Sequence, residues 1–181
     1  RVLQGESQHP CLPLGVQASL DVGNRSRLPF NGSGSFQQCV DLYWELLRGF
    51  ERSPPFAGEL FGFSYLFDRT RAIGLLDGDA QEFGTQHMSV ADIRTAAERL
   101  CLSPAQDSEA RFAGVKDAGK WANFCGDAVY LAVLLEHGIG VEPARSLTMG
   151  NKISGVEIVW TLGAMIAKAA TGLAASRRSE L

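Results

Sequence analysis

Four cysteines constrain the fold of this chain more than any other feature. They stand at positions 11, 39, 101 and 125, an even set without a C-x-x-C pair, which argues against a zinc ribbon and a redox dithiol. Their spacing suggests two local loops, one from 11 to 39 and one from 101 to 125. If both loops close, each disulfide contributes roughly 3–4 kcal/mol in the chain-entropy model. Four reduced, buried thiols in a cytosolic protein are the alternative.

Two N-glycosylation sequons lie inside the first of these loops, beginning at Asn24 and Asn31. Such sites occupy surface positions in secreted proteins. Together with an even cysteine set they indicate the secretory pathway. The chain begins with Arg1 and shows no basic-then-apolar leader, so we expect a processed chain or a portion of a longer one.

Length and charge narrow the classes of function. The chain has 181 residues, of which 45% are hydrophobic and 20% charged, as expected for one globular domain or one lobe of a larger protein. The net charge of −3 argues against a nucleic acid or an anionic membrane as the main partner, because both require a basic face. The most apolar stretch, residues 153–175, is interrupted by Glu157 and Lys168, so we expect no membrane span within this chain.

The pattern of apolar residues predicts a helix-rich chain with a short sheet. Residues 1–35 are rich in Gly, Pro, Ser and Asn and indicate an extended or hairpin-like region. The uncharged, aromatic segment 60–67 predicts a largely buried strand. Ser89 and Asp92 resemble a capping box that opens a helix ending near Cys101. Further helices are predicted at about 36–50, 127–136 and 155–171, and a helical turn at 110–115.

Aromatic side chains alternate along the predicted strand, which would place four rings on one face of it. These rings are Phe61, Phe63, Tyr65 and Phe67. Core packing is the ordinary interpretation of such a stripe. The alternative is a flat platform on which a planar ligand such as a nucleobase stacks, with Trp121 and Phe124 as the opposite wall and Lys120 as a cation. Spacing does not decide between them.

A self-contained active site is not evident in the sequence. The three histidines, at 9, 87 and 137, lie far apart and show no metal-ligand spacing, so each is interpreted as a surface or capping imidazole. Neither a G-x-S-x-G elbow nor a P-loop occurs. Asp77 and Asp79 begin like a calcium loop, but the following positions depart from that pattern.

Six short segments occur in order between residues 9 and 163: His9-Pro10-Cys11, Gly34-Ser35-Phe36-Gln37-Gln38-Cys39, Phe61-Gly62-Phe63-Ser64-Tyr65, Phe112-Ala113-Gly114-Val115-Lys116, Phe124-Cys125 ahead of Tyr130, and Trp160-Thr161-Leu162-Gly163. Their order and spacing resemble the C-terminal half of the apyrases, the nucleoside triphosphate diphosphohydrolases. The resemblance covers nearly the whole chain.

This resemblance implies a fold and an activity. The fold would be α/β, the second lobe of an actin-like (ribonuclease H-like), two-lobed nucleoside phosphatase of the secretory pathway or cell surface. Such enzymes remove the terminal phosphate of nucleoside tri- or diphosphates by attack of water, with Ca²⁺ or Mg²⁺. The family's phosphate-binding loops and catalytic Glu lie upstream of the matched segments, and neither loop occurs here. We therefore expect no catalytic residue in this chain, cation ligands mostly outside it, and no activity of the chain alone.

The resemblance also assigns roles to individual residues. The nucleobase would stack between Tyr65 or Phe67 on one side and Phe124, with Lys120 as the cation, on the other. Trp160 and Gly163 would be structural. The implied disulfides are Cys11 with Cys39 and Cys101 with Cys125.

The expected organisation follows from the same resemblance. Residues 1–154 would form the base-binding lobe, residues 155–175 a closing helix that packs back on an N-terminal lobe outside this chain, and residues 176–181 a tail. A non-catalytic, secreted binding module that keeps this lobe is the alternative function. A cytosolic relative of the exopolyphosphatase type is a third possibility, and it predicts reduced cysteines and unmodified sequons.

Overall fold

A computed structural model of the chain describes residues 7–22, 26–49, 58–77, 84–114, 118–153 and 155–157. Several expectations fall outside these residues: the sequon at Asn24, the motif at Trp160 and Gly163, most of the closing segment 155–175, and the tail 176–181.

The N-terminal region forms a three-stranded sheet in the order β1-β3-β2. Strands β2 (Gln17–Val22) and β3 (Ser26–Gly32) pair antiparallel as a hairpin, and β1 (Ser7–His9) adds to β3 in parallel. The hairpin-like region predicted from composition is confirmed. Asn31 lies on the central strand and is half-buried, and its glycosylation stays a prediction.

A second sheet has the order β4-β6-β5. Strand β6 (Ser146–Gly150) lies in the middle, parallel to β4 (Leu60–Gly62) and antiparallel to β5 (Thr85–Ser89). Two short strands, β7 (Lys152–Ile153) and β8 (Val156–Glu157), form a separate hairpin. The predicted helix of about 155–171 does not begin at residue 155, because residues 156–157 pair as a strand, and the rest of that segment lies outside the described residues.

In the described part of the chain, helices supply most of the remaining structure. The α-helices are α1 (Phe36–Leu46), α2 (Tyr65–Ala72), α3 (Val90–Leu102), α4 (Ala105–Phe112) and α5 (Phe124–Val133). A 3₁₀ helix (Ala118–Asn123) leads into α5, and a π-helix (Leu134–Ile139) continues it. The lead-in helix explains why α5 begins three residues before the predicted start. Gly140, with a φ of 89°, adopts the left-handed conformation that ends the segment.

The predicted strand over residues 60–67 is only partly correct. The strand ends at Gly62, Ser64 takes a φ of 55°, and α2 begins at Tyr65. Phe67 and Thr70 are buried three residues apart, as helical spacing requires, and the Thr70 hydroxyl lies 3.0 Å from the Phe67 carbonyl oxygen. The aromatic residues therefore do not form one strand face.

The predicted capping box is confirmed at the start of α3. The Ser89 hydroxyl oxygen accepts the Asp92 N–H at 3.2 Å, and the Asp92 carboxylate accepts the Ser89 N–H at 2.8 Å. The hydrogen bond from the Ser89 backbone is the main cause of a lowered pKa at Asp92, with the bond from its hydroxyl second. Helix α3 reaches Cys101 as predicted.

Two clusters of apolar side chains form the core. One lies among α1, α3, α4 and α5, and the other lies between the β4-β6-β5 sheet and the helices that cover it. Both implied disulfides are present in the structure and are buried in the first cluster. The Cα–Cα distances are 5.0 Å for Cys11–Cys39 and 4.7 Å for Cys101–Cys125. The first pair joins the N-terminal region to α1, and the second joins α3 to α5.

Candidate functional site

Tyr65 presents an aromatic ring at the surface of α2, with 44% of the residue exposed. Its ring packs at a steep angle against the ring of Tyr130 of α5, with the centroids 6.2 Å apart. The guanidinium of Arg69 lies over the Tyr65 ring, with Cζ 5.8 Å from the centroid. This distance allows a cation–π interaction. The ring therefore has two fixed neighbours and remains partly open to solvent.

An ion pair lies beside this ring. Arg69 Nη1 donates to Asp127 Oδ2 at 3.2 Å, and both side chains are largely buried. Burial, and then the charge of Asp127, raises the pKa of Tyr65. The same two causes, in the same order, raise the pKa of Tyr43 on α1. The carboxylate of Asp127 therefore acts on two tyrosines from different helices.

These side chains form one group, which we call the tyrosine cluster: Tyr43, Tyr65, Tyr130, Arg69 and Asp127. Tyr43 completes it, because its ring centroid lies 5.4 Å from that of Tyr130. Helices α1, α2 and α5 each contribute to the cluster. Of these five residues, the sequence predicts only Tyr65 as a site residue. The missed signal is a polar stripe on an otherwise apolar α5, where Asp127 and Tyr130 are three residues apart and share one face.

A cavity of about 370 Å³ adjoins the cluster, bounded by the β1-β3-β2 sheet and α5. This volume lies in the range of small-molecule sites. Tyr43 and Asp127 form part of one wall, and His9 and Phe30 form part of another. Gly126 lets α5 lie close to Cys11, since a Cβ at this position would lie 3.3 Å from the Cys11 Cβ.

His9 is a neutral lining group of this cavity. Burial lowers the pKa of His9, and its Nδ1 accepts the Cys11 N–H at 3.2 Å. Because an acceptor nitrogen carries no proton, the ring proton of the neutral form lies on Nε2. Its ring packs edge-on against Phe30, with centroids 5.7 Å apart.

Two of the four residues assigned to the nucleobase are core residues in this structure. Phe67 is 2% exposed and belongs to the second core cluster, whereas Phe124 is 0% exposed and belongs to the first. The ring of Phe124 packs edge-to-face on Phe112 at 4.8 Å. Neither ring is open to a ligand, so the expected sandwich of a base against Phe124 is corrected. Lys120 is exposed on the 3₁₀ helix before α5.

Among the described residues, no group of three or more His, Cys, Asp or Glu side chains lies close enough to hold a metal ion. Within the same part of the chain, no helix is both long and apolar enough to cross a membrane.

Comparison with known proteins identifies the family. The family model for the GDA1/CD39 (nucleoside phosphatase) family matches residues 2–177. The chain belongs to this family, as the sequence resemblance indicated.

Curated relatives share moderate identity with the chain. "Probable apyrase 1" of Oryza sativa subsp. japonica is 32% identical over 59% of this chain and 22% of its own length. "Ectonucleoside triphosphate diphosphohydrolase 5" of Gallus gallus is 26% identical over 85% of this chain and 34% of its own length. "Ectonucleoside triphosphate diphosphohydrolase 8" of Homo sapiens is 24% identical over 88% and 36%. The matched part of the chain thus spans between 22% and 36% of these relatives.

Proposed function

We propose that the full-length protein carrying this chain hydrolyses nucleoside tri- or diphosphates, and that this chain supplies the side that binds the nucleobase. Family membership over residues 2–177 supports the class of reaction. The chain would be the second lobe of an actin-like enzyme, and its mixed α/β architecture is compatible with that role. Water would attack the terminal phosphorus, activated by a carboxylate outside this chain.

The observation that carries the proposal is the open ring of Tyr65. Tyr65 is half-exposed, and both Arg69 and Tyr130 pack against its ring. The ring therefore has a restricted orientation and an exposed surface on which a planar ligand could stack. Stacking of a base on such a ring contributes about 1–3 kcal/mol. Lys120 is the proposed cation near the base, and Phe67 and Phe124 hold the two helices in place from within the core.

A divalent cation, Ca²⁺ or Mg²⁺, is proposed to accompany the nucleotide, as in the apyrase family. Its ligands would lie mostly outside this chain, and we assign it no ligand among the described residues and no step of the reaction. The part played by the described residues is to bind and orient the base.

The compartment proposed for this protein is the secretory pathway, including the cell surface or the extracellular space. Two disulfides support it, because such bonds persist in oxidising compartments. Glycosylation at Asn24 and Asn31 is part of the same proposal. A mass increase at these two sequons in protein secreted by eukaryotic cells, lost on enzymatic deglycosylation, is the expected result.

Kinetics of a Tyr65 variant test the proposed function. In the full-length protein, Tyr65→Ala should raise KM for nucleoside phosphates by about 5-fold or more, while kcat stays near the wild-type value. The reason is that base stacking stabilises the bound substrate and the transition state equally. Tyr65→Phe keeps the ring and is the matched control. An unchanged KM in Tyr65→Ala would remove the role of this ring.

Two further measurements separate the enzyme from its alternative. The 181-residue chain alone should release no phosphate from ATP or UDP with Ca²⁺ present. Full-length protein that binds nucleotides without releasing phosphate would favour the non-catalytic binding module.

A further inference from the structure

Arg69 lies one helical turn after Tyr65 on α2, and its side chain pairs with a carboxylate of α5. Its guanidinium donates to Asp127 at 3.2 Å, with 17% of the Arg69 side chain and 24% of the Asp127 side chain exposed. An arginine side chain has many rotamers, so a partly buried partner of opposite charge strongly restricts its position. Asp127 on α5 thereby limits where the guanidinium of α2 can lie.

The ring of Tyr65 is bounded by this guanidinium and by Tyr130. Arg69 Cζ lies over one face at 5.8 Å from the centroid, and Tyr130 contacts the ring at an interplanar angle of 68°. Both neighbours therefore restrict the orientation of the Tyr65 ring and leave part of it exposed. The position of the guanidinium influences how the exposed part of the ring is presented to a planar ligand.

We propose that Asp127 and Arg69 are positioning residues that fix the Tyr65 ring for the nucleobase. This inference rests on the proposed function and deepens it. Asp127 acts through Arg69, and Arg69 acts through the ring. The Asp127 charge, second to burial, also raises the pKa of Tyr65, so the carboxylate acts on this ring electrostatically as well as through Arg69.

Helix α2 carries a second group of a carboxylate, a guanidinium and an aromatic ring, but in this group the ring is buried. Arg71 Nη2 donates to Asp68 Oδ1 at 3.2 Å, and Arg71 Cζ lies 5.5 Å from the centroid of Phe67. The carboxylate, the guanidinium and the ring repeat the chemistry of the first group. Phe67 is buried, however, and cannot stack on a ligand. Asp68→Asn is therefore a control that breaks a second, more exposed Asp–Arg pair of the same helix beside a ring that a ligand does not reach.

The test compares a substrate that has a base with one that has none. In the full-length protein, Asp127→Asn should raise KM for a nucleoside triphosphate by about 5-fold or more, with kcat within about 2-fold of wild type. KM for inorganic tripolyphosphate should not change, because this substrate has no base to stack. Asp127→Glu should restore part of the lost affinity, and Asp68→Asn should leave both substrates unaffected.

A purely structural role of Asp127 would give a different pattern. Equal losses with nucleoside triphosphate and with tripolyphosphate, or an unchanged KM for the nucleotide, would overturn the inference while leaving the proposed function intact. Wild-type protein that hydrolyses neither substrate would instead refute the proposed function.

A binding measurement decides the inference even in that last case. Saturation-transfer NMR of the full-length protein with adenosine or uridine reports base contact without any reaction. Asp127→Asn should weaken this signal by about 5-fold or more relative to Asp68→Asn. An equal signal from the two variants would overturn the positioning role. Thermal unfolding of both variants verifies that each is folded at the temperature of the experiment.

Discussion

Replacing Phe124 by alanine separates a core role from a ligand-binding role. The side chain is fully buried and packs edge-to-face on Phe112 at 4.8 Å, so its removal deletes a large apolar surface and leaves a cavity. Truncating a buried phenylalanine costs about 3–5 kcal/mol in the free energy of unfolding, of which the ring pair supplies about 0.5–1.5 kcal/mol. For a chain of this length, each kcal/mol lowers Tm by about 2–4 °C, so we expect a fall of roughly 6–20 °C.

Urea unfolding of the oxidised 181-residue chain, followed by far-UV circular dichroism, measures this loss. Phe124→Leu, which refills most of the volume, should lose less stability. Tyr65→Ala is the matched control with the opposite expectation. It should weaken nucleoside binding but lower the free energy of unfolding less than Phe124→Ala does. If Phe124→Ala unfolded within about 0.5 kcal/mol of wild type yet lost nucleoside binding, the ring would be accessible and the core assignment refuted.

Three further predictions concern stability. Replacing Cys101 and Cys125 together by alanine removes a link across 24 residues and should lower the free energy of unfolding by roughly 3–4 kcal/mol, measured by urea unfolding. Ser89→Ala deletes the hydroxyl that accepts the Asp92 N–H and should cost about 0.5–2 kcal/mol, measured as a lower Tm. The third concerns His9, whose pKa is lowered by burial, so the unfolded chain binds more protons below its ordinary pKa of 6.5. The contribution of neutral His9 to the free energy of unfolding should therefore be fully present above pH 6.5 and be lost as the pH falls through the lowered pKa of the folded state. His9→Gln should flatten this part of the profile of urea midpoint against pH.

Specific outcomes contradict each of these three expectations. Peptide mapping without reductant that pairs Cys101 with any cysteine other than Cys125 would undo the assumed link. A Tm of Ser89→Ala equal to that of wild type would show that the cap does not stabilise α3. A His9→Gln profile that keeps the full wild-type slope would assign the acid sensitivity to other groups.

Local signals in the sequence predicted part of this fold correctly. Ser89 and Asp92 fixed the start of α3, because capping depends on residues within one turn. The disulfide loops also followed from spacing together with the family resemblance. The segment 60–67 was misjudged because four aromatic residues favour a strand, whereas Asp68 in the first turn and Arg71 in the last turn match the dipole of α2.

The candidate site was harder to predict, because its members come from three helices. Sequence periodicity places Tyr65 and Asp127 on elements far apart in the chain, and only tertiary packing brings Arg69 between them. Phe124 was assigned to the ligand by resemblance, but the burial of one ring depends on all of its neighbours. Such long-range packing is not encoded in the spacing of any single segment.

The bond between Cys11 and Cys39 has a consequence for how the protein matures. Tyr43 follows Cys39 by one helical turn on α1, and Cys11 lies close to Gly126 of α5. The disulfide therefore holds the helix that carries Tyr43 against a segment that packs on α5, the helix that carries Asp127. Chains newly made under reducing conditions would lack this fastening. The nucleoside binding that we propose would then depend on oxidative folding, and therefore on the redox state of the compartment in which the polypeptide matures.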